Sequence, residues 1–181
     1  MYEFPACVDA GVKVLKIEGR GRAPEYVAKV IKYYREAIDA IEAGTYTKEE
    51  AQDVWMTELK KVYNRGFWSG YYLGQKLGEW SKGPGSHATQ KKVYIGKGMH
   101  YFPKSNIGEF KIEAYDLKLG DQILVTGPTT GAKEMEVSEM LVNDLKQESA
   151  TKGDSVTIPL DFRIRLSDKL YKIVKTEYAE S

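Results

Sequence analysis

The hydrophobic pattern of this chain changes its period near residue 82. Before that point apolar residues recur every three to four positions, as on an α-helix, whereas after it they alternate with polar residues, as on a β-strand. The clearest helical stretch covers residues 24–43. Proline is favoured in the first turn of a helix, where Pro24 lies, and the Glu25 carboxylate interacts favourably with the positive end of the helix. Gly44 follows the stretch and is expected to end the helix. Its apolar stripe consists of Val27, Val30, Ile31, Tyr34, Ile38 and Ile41.

A second helix is predicted from Thr47 to about Val62, because Thr47 and Glu50 form a capping box. The following segment, YNRGFWSGYYLGQKLGEW (residues 63–80), is broken by glycines and filled with aromatic residues, which indicates a loop. SKGPGSHATQ then has the composition of a linker. The side of the second helix predicted to be buried carries Val54, Trp55, Leu59 and Val62.

The part of the chain after residue 90 contains six strand candidates separated by turn residues. Two of them begin with the same short motif, because Gly-Asp comes just before an apolar run in both Leu-Gly-Asp-Gln-Ile and Lys-Gly-Asp-Ser-Val. This regular succession of strands and turns favours a small closed antiparallel β-barrel, because closure removes exposed sheet edges. The six segments are KKVYIGKGMHYFP, NIGEFKIEAY, DQILVTG, KEMEVSEMLV, DSVTIPL and KLYKIVK.

The segment before the first helix, VKVLKIEGRGR (residues 12–22), combines a strand pattern with a charged end. Alternation would place Leu15 and Ile17 on one face and Lys16 and Glu18 on the other. This suits the last strand of a (β/α) barrel, with Leu15 and Ile17 against an outer helix and Lys16 and Glu18 in the barrel mouth. Spacing alone instead favours a solvated surface pair for Lys16 and Glu18.

Two arginines lie at the end of this segment, and each is preceded by a glycine that permits a tight turn. Arg20 and Arg22 would lie beside the N-terminus of the first helix. Guanidinium groups next to the positive end of a helix form a binding site for phosphate or carboxylate.

Composition narrows the classes of protein. The chain has 181 residues, of which 42% are hydrophobic and 29% charged, as in globular proteins. A net charge of +1 leaves local basic patches, but no long-range field, for attracting nucleic acid. The single cysteine excludes an internal disulfide and suits a reducing cytoplasm. No apolar run approaches the ~20 residues of a membrane span, and the N-terminus lacks signal-peptide features.

Other groups of residues give only weak evidence of a catalytic or binding site. Cys7 has no neighbouring base, and His87 and His100 are predicted to be surface or rim residues, so no protease triad can be assembled. GPTTG (residues 127–131) lacks the ending of a phosphate loop and predicts a β-turn. Basic and aromatic residues interleave in the first strand and just beyond it, where they either contact single-stranded nucleic acid or lie partly in the core. They are Lys91, Lys92, Lys97, Lys104, Tyr94, His100, Tyr101 and Phe102.

Two stretches resemble a known family. DAGVKVLKIEGRGRAPEYVAKVIKYYREAIDA resembles the signature region of the U-32 peptidase family, the collagenase-like proteases, and VYNRGFWSGYYLG resembles its second signature. Residues 91–174 resemble the C-terminal β-barrel domain of many members. The resemblance implies an α+β fold, in which the chain is the C-terminal portion of a longer protein and begins at the last catalytic-barrel strand. Its parts would be a mainly helical catalytic-barrel remnant (1–82), a linker (83–90), a small antiparallel β-barrel (91–176) and a tail (177–181).

The resemblance also selects site residues. Lys16 and Glu18 are the catalytic candidates, although the catalytic residues themselves stay unknown, and no metal ligand is predicted. Tyr63 and Gly66 belong to the second motif, whose aromatic residues alternatively serve to pack the helical segment against the barrel. The residues expected to bind substrate are Arg20, Arg22, Asn64, Arg65, Tyr71 and Tyr72.

Three functions follow from the resemblance. The first is RNA hydroxylation at the tRNA wobble uridine, since the chain is closest in type to the tRNA hydroxylation proteins of the family. The second is proteolysis of unknown catalytic type, and the third is a non-catalytic β-barrel module that binds RNA or protein. The chain alone is expected to be inactive and cytoplasmic, without a membrane partner. We expect tRNA to bind through the intact protein, an iron–sulfur cluster to lie upstream rather than in this chain, and the exposed remnant to form a homo-oligomer.

Overall fold

A computed structural model describes residues 1, 3–67, 70–71, 74 and 85–179. The chain forms two compact units, Met1–Gln90 with Thr176–Ser181, and Lys91–Lys175. The first is helical and the second is built from antiparallel strands, which confirms the mixture of helix and antiparallel sheet predicted from the sequence. None of the helices in the described ranges is long and apolar enough to cross a bilayer.

The first predicted helix is confirmed. A short helix α1 (Phe4–Asp9) precedes α2 (Pro24–Glu42), in which Pro24 occupies the first turn. The buried side of α2 consists of Val30, Tyr33 and Ala37, at spacings of three and four residues. The prediction for Ile31 is wrong, because its side chain lies beside this stripe and is 52% exposed.

The second predicted helix is present but irregular. It consists of α3 (Lys48–Glu50), a π-helical segment (Ala51–Met56) and α4 (Thr57–Lys60). The Thr47 hydroxyl accepts a hydrogen bond from the Glu50 amide at 3.1 Å, as the capping box predicts. The wider π turn rotates the following side chains relative to an α-helix. The buried side is therefore Ala51, Trp55, Met56 and Leu59.

The predicted strand over residues 12–18 is wrong. These residues have no regular secondary structure and no ladder partner among the described residues. A strand needs a neighbour to satisfy its backbone groups, and none of the described segments supplies one. Ile17 nevertheless packs against the buried residues of α2 and α4, whereas Val14 is 82% exposed.

The described strands all lie between residues 90 and 175. The six longer ones overlap the six predicted segments, and four two-residue strands come in addition. The bounds are β1 (Gln90–Phe102), β2 (Ile107–Ile112), β3 (Leu117–Lys118), β4 (Gln122–Gly127), β5 (Gly131–Glu136), β6 (Leu141–Val142), β7 (Leu145–Lys146), β8 (Ser149–Ala150), β9 (Ser155–Pro159) and β10 (Lys169–Lys175).

The main sheet is open, which corrects the predicted barrel. Its order is β5-β4-β10-β1-β2-β9-β6-β7, and β3 pairs separately with β8. No ladder joins β5 to β7 among the described strands. The β5 edge carries Lys133, Glu134 and Glu136, and charged edge residues discourage pairing with another strand.

One predicted strand is divided. KEMEVSEMLV contains the end of β5 and the whole of β6, and between them Val137 and Met140 turn into the core. Periodicity could not show this interruption, because the buried residues continue across it. The core of the sheet unit is built around Ile95, Phe110, Ile112, Leu117, Ile123, Val125, Val156, Ile158 and Leu170.

Candidate anion-binding site

Side chains from the two family-like motifs converge at one place in the helical unit. The Arg22 guanidinium carbon lies 3.9 Å from the centroid of the Tyr63 ring. Arg65 Nε donates a hydrogen bond to the Tyr63 hydroxyl oxygen at 3.0 Å. We call these three residues the Arg22–Tyr63–Arg65 cluster. Two cationic groups therefore share one aromatic side chain, although 41 or more residues separate Arg22 from the other two.

The backbone on the first side of the cluster is a tight turn. Gly21 has φ +69°, which glycine adopts without steric cost. The Arg22 amide donates to the Gly19 carbonyl at 3.0 Å and closes the turn just before α2. This turn directs Arg22 towards Tyr63 and places its guanidinium carbon 5.9 Å from the Tyr26 ring centroid.

The second side of the cluster is held by Asn64. Its amide nitrogen donates to the carbonyls of Val62 (3.0 Å) and Lys60 (3.3 Å), and its amide oxygen accepts from the Gly66 amide at 3.1 Å. Asn64 was predicted to bind substrate, but these bonds use its side chain to shape the loop that carries Tyr63 and Arg65. Its role in binding substrate stays a prediction.

The cluster carries uncompensated positive charge. Arg22 and Arg65 are exposed, and in the part of the chain that the structure describes no ion pair joins either guanidinium to a carboxylate. Hydrogen bonds from Arg65 and then Arg22 lower the pKa of the Tyr63 hydroxyl below its usual value. Such a site favours an anion, because guanidinium groups bind phosphate or carboxylate oxygens with charge-assisted hydrogen bonds.

Lys16 and Glu18 line a neighbouring cavity of about 710 Å³. Its wall is mainly apolar and includes Ile17, Phe67 and Tyr26. Because the Tyr26 ring also faces Arg22, the cavity wall is continuous with the Arg22–Tyr63–Arg65 cluster. The cavity therefore combines a mainly apolar wall with the Lys16 amine and the Glu18 carboxylate, and the Arg22–Tyr63–Arg65 cluster lies beside it.

Arg20 has a different partner from the cluster residues. The Arg20 amide donates to Glu18 Oε1 at 2.7 Å, and its side chain is exposed. Tyr71 is 51% exposed, and Tyr72 lies outside the described residues. Cys7 also lines the cavity and has no hydrogen bond to a histidine in the described ranges.

Sequence reasoning missed the aromatic residues that organise this site. Tyr63 was noted as part of a motif, but its bridging role was not predicted. Tyr26 received no role, although its position four residues after Arg22, within one helical turn, is compatible with a cation–π contact.

We expect Arg65→Ala to raise the pKa of Tyr63 towards the ordinary tyrosine value, because the variant loses the hydrogen bond and positive charge that favour the phenolate. The pKa can be followed by NMR on ring-labelled tyrosine. Arg35→Ala removes an arginine on α2 that pairs with Asp39 and serves as the control. An unchanged Tyr63 pKa in Arg65→Ala would show that the cluster is not formed in solution.

Comparison with known proteins gives this site a family context. Residues 1–82 match peptidase family U32. A collagenase of Porphyromonas gingivalis is 51% identical over 170 residues, which are 94% of this chain and 41% of that protein. An uncharacterized protease of Methanocaldococcus jannaschii is 34% identical over 89% of this chain and 40% of its own length.

The relation to tRNA hydroxylation proteins is also confirmed, at lower identity. The tRNA hydroxylation protein P1 of Bacillus subtilis is 27% identical over 93% of this chain and 38% of its own length. The chain thus spans about two fifths of the length of these relatives. The matched residues 1–82 include the helices, the cavity and the Arg22–Tyr63–Arg65 cluster. Residues 1–82 of this chain therefore match peptidase family U32, and the similarity to the relatives named above extends over most of the remaining chain.

Proposed function

We propose that this chain is the substrate-recognising part of a U32 enzyme that hydroxylates the wobble uridine of tRNA. The observation that carries the proposal is the convergence of Arg22 and Arg65 on the Tyr63 ring, without a carboxylate partner among the described residues. The names of the tRNA hydroxylation relatives support the choice of substrate. The activity is assigned to the whole protein, and the chain alone is expected to be inactive.

The chemistry of the cluster suits a nucleotide. A guanidinium group presents paired N–H donors that match two phosphate oxygens. Tyr63 holds both arginines close together and thereby sets the spacing of the two cations. The neighbouring cavity would receive the base, with Lys16 and Glu18 as the candidates for moving a proton to or from it.

An iron–sulfur cluster, which the family resemblance implies for relatives, does not fit this chain. Its sequence contains one cysteine, and the described residues contain no group of three or more His, Cys, Asp or Glu side chains that could hold a metal ion. Such clusters are held mainly by several cysteine thiolates. We therefore propose that any such cluster is bound by residues outside this chain.

The proposal is tested with Arg22→Ala/Arg65→Ala in the whole protein. Expressed in a strain that lacks tRNA hydroxylation protein P, the unaltered protein should restore 5-hydroxyuridine, measured by mass spectrometry of digested tRNA. The double variant should lower this signal by about 10- to 100-fold, because one charge-assisted hydrogen bond contributes roughly 1.5–3 kcal/mol.

Arg35→Ala is the matched control, since Arg35 is an exposed arginine outside the cluster. Failure of the unaltered protein to restore 5-hydroxyuridine would contradict the proposed reaction. Full restoration by the double variant would contradict the proposed site.

Proteolysis is the second candidate, because a relative of 51% identity carries the name collagenase. Among the described residues no serine, threonine or cysteine side chain is hydrogen-bonded to a histidine, and Cys7 is a free thiol. The same purified whole protein should be incubated with gelatin. Cleavage that one point substitution abolishes would favour this candidate over RNA hydroxylation.

A further inference from the structure

One short loop connects the Arg22–Tyr63–Arg65 cluster to the neighbouring cavity. Tyr63 and Arg65 belong to the cluster, and Phe67, two residues after Arg65, lines the same cavity as Lys16 and Glu18. We call residues 63–67 the bridging loop. A ligand that binds the cluster and enters the cavity therefore contacts this loop at both places.

The bridging loop is braced by backbone hydrogen bonds. The Asn64 carbonyl accepts from the His87 amide at 2.8 Å, and the Asn64 amide donates to Ser86 Oγ at 3.4 Å. Just before the loop, the Lys60 carbonyl at the end of α4 accepts from the Thr89 amide at 2.9 Å. These bonds tie the loop and the end of α4 to a later segment of the same compact unit. The loop therefore has a defined backbone conformation.

A glycine turn separates the two exposed side chains of the bridging loop. Gly66 has φ +93°, a conformation that residues with a Cβ atom rarely adopt. Its amide donates to Asn64 Oδ1 at 3.1 Å, which holds the turn in place. Arg65 and Phe67 flank this glycine, so the backbone changes direction between the guanidinium group and the ring.

The Phe67 ring is not used to build the core of the helical unit. Its side chain is 47% exposed, and among the described residues it does not pack against the buried cluster of this unit. Other apolar residues of the cavity wall do belong to that cluster, and Phe4 and Leu59 are 7% and 4% exposed. Phe67 therefore leaves an aromatic face open at the edge of the cavity.

We infer that the site takes a single unpaired nucleotide, with its base stacked on Phe67 and its phosphate held by Arg22 and Arg65. A base and its phosphate are joined through one ribose, so both contacts must be offered close together, as side chains two residues apart on one loop do. A paired base has both faces covered and must leave its stack to reach such a cavity. The inference rests on the proposed function, for which it names the substrate class and makes Phe67 a specificity-determining residue.

The cavity favours a nucleotide over an acidic peptide. Its volume of about 710 Å³ lies within the range of roughly 300–1,000 Å³ that is usual for small-molecule sites. A flat base can cover the mainly apolar wall and stack on the ring, since every base has a π-face. An acidic peptide would use the guanidinium groups, but its carboxylates would lose their hydration inside the cavity.

The test compares two RNAs that differ only in one base. Binding of the full chain is measured to an anticodon stem-loop with uridine at the wobble position and to the same stem-loop with an abasic residue there. The unaltered chain should bind the uridine stem-loop about 10-fold more tightly, as expected for one stacked base. Phe67→Leu should remove this preference, whereas Phe67→Trp should keep it.

Two further variants separate stacking from charge and from folding. Arg65→Ala should weaken binding of both stem-loops alike, because the phosphates are present in both. Tyr115→Leu removes a ring that is 68% exposed in the sheet unit and should leave both affinities unchanged. A purely structural role of Phe67 would change the two affinities together and leave their ratio intact, so the ratio isolates the stacking contact.

The outcomes distinguish this inference from the proposed function. A uridine preference that persists in Phe67→Leu would overturn it, as would equal affinity of the unaltered chain for the two stem-loops or no binding to either at low salt. Polyglutamate that competes as well as the uridine stem-loop would also overturn it. Base-dependent binding without restoration of 5-hydroxyuridine would support the nucleotide site and contradict the reaction, whereas restoration without base preference would do the reverse.

Discussion

Gly96→Ala is expected to destabilise the sheet unit by at least about 3 kcal/mol. Gly96 pairs with Ile112 in the β1–β2 ladder, and an added Cβ would lie 2.1 Å from the Lys111 carbonyl oxygen and 3.0 Å from its carbon. The clashing atoms belong to backbone, so no side-chain rotation can relieve the contact. Relief would require the two central strands to separate.

Hydrogen exchange of peptides from β2 measures this effect, because exchange through unfolding reports the local free energy of opening. Gly120→Ala is the matched control: its added Cβ has open space, but its φ of +81° imposes a cost of roughly 1–2 kcal/mol. Equal loss of protection in the two variants would contradict the close strand approach at Gly96.

Trp55→Ala is expected to destabilise the helical unit by about 3–5 kcal/mol. Trp55 is 2% exposed in the π-helical segment, and its ring lies 5.7 Å from the Tyr46 ring. It belongs to the buried cluster that includes Ala37 and Leu59 and joins α2 to α4. Removing the indole leaves a cavity between α2, which Arg22 precedes, and α4, which Tyr63 follows.

Val54→Ala is the control for this prediction, since Val54 is adjacent in sequence but 46% exposed. Its cost should stay within about 0.5 kcal/mol. Protection of α2 amides, measured by hydrogen exchange, should fall in Trp55→Ala and persist in Val54→Ala. Comparable losses would mean that the π turn does not set the buried face. The lowered pKa of Tyr63 should also disappear in Trp55→Ala if the two motifs separate.

The helical face shows where sequence periodicity is reliable and where it is not. A period of three to four residues identified α2, because burial against one neighbour imposes that spacing. It assigned Ile31 and Val54 to buried faces, and both are exposed. Hydrophobicity alone does not report a small buried residue such as Ala37 or the added residue of a π turn.

The sheet shows a different limit. Alternation and turn residues identified the main strands, since each must place one side chain in two against a core. Closure was not predictable from the same pattern, because an open sheet and a barrel have the same alternation. The charged residues of β5 were the available signal for an open edge.

The candidate site was also predictable from the sequence only in part. The arginines and the two motifs were visible in the sequence, and the cationic character of the site follows from residue type. Only the tertiary structure shows that Arg22 and Arg65 converge on Tyr63. It also shows that the Asn64 side chain bonds within its own loop and that Arg20 lies apart from the cluster.

Local features of this protein were determined by its sequence alone: a capped second helix after a long amphipathic one, alternating strands, tight glycine turns and two arginine-bearing motifs. Each depends on neighbours within a few residues, where backbone geometry and periodicity act directly. Tertiary structure alone decided which side chains meet across long separations. Arg22 reaches Tyr63 because α2 and α4 share a buried face. The turn at residues 165–168 lies against β1 because Asp168, which is buried, bonds both to Arg165 and to Gly98. Such contacts are set by the packing of whole elements, which no local pattern encodes.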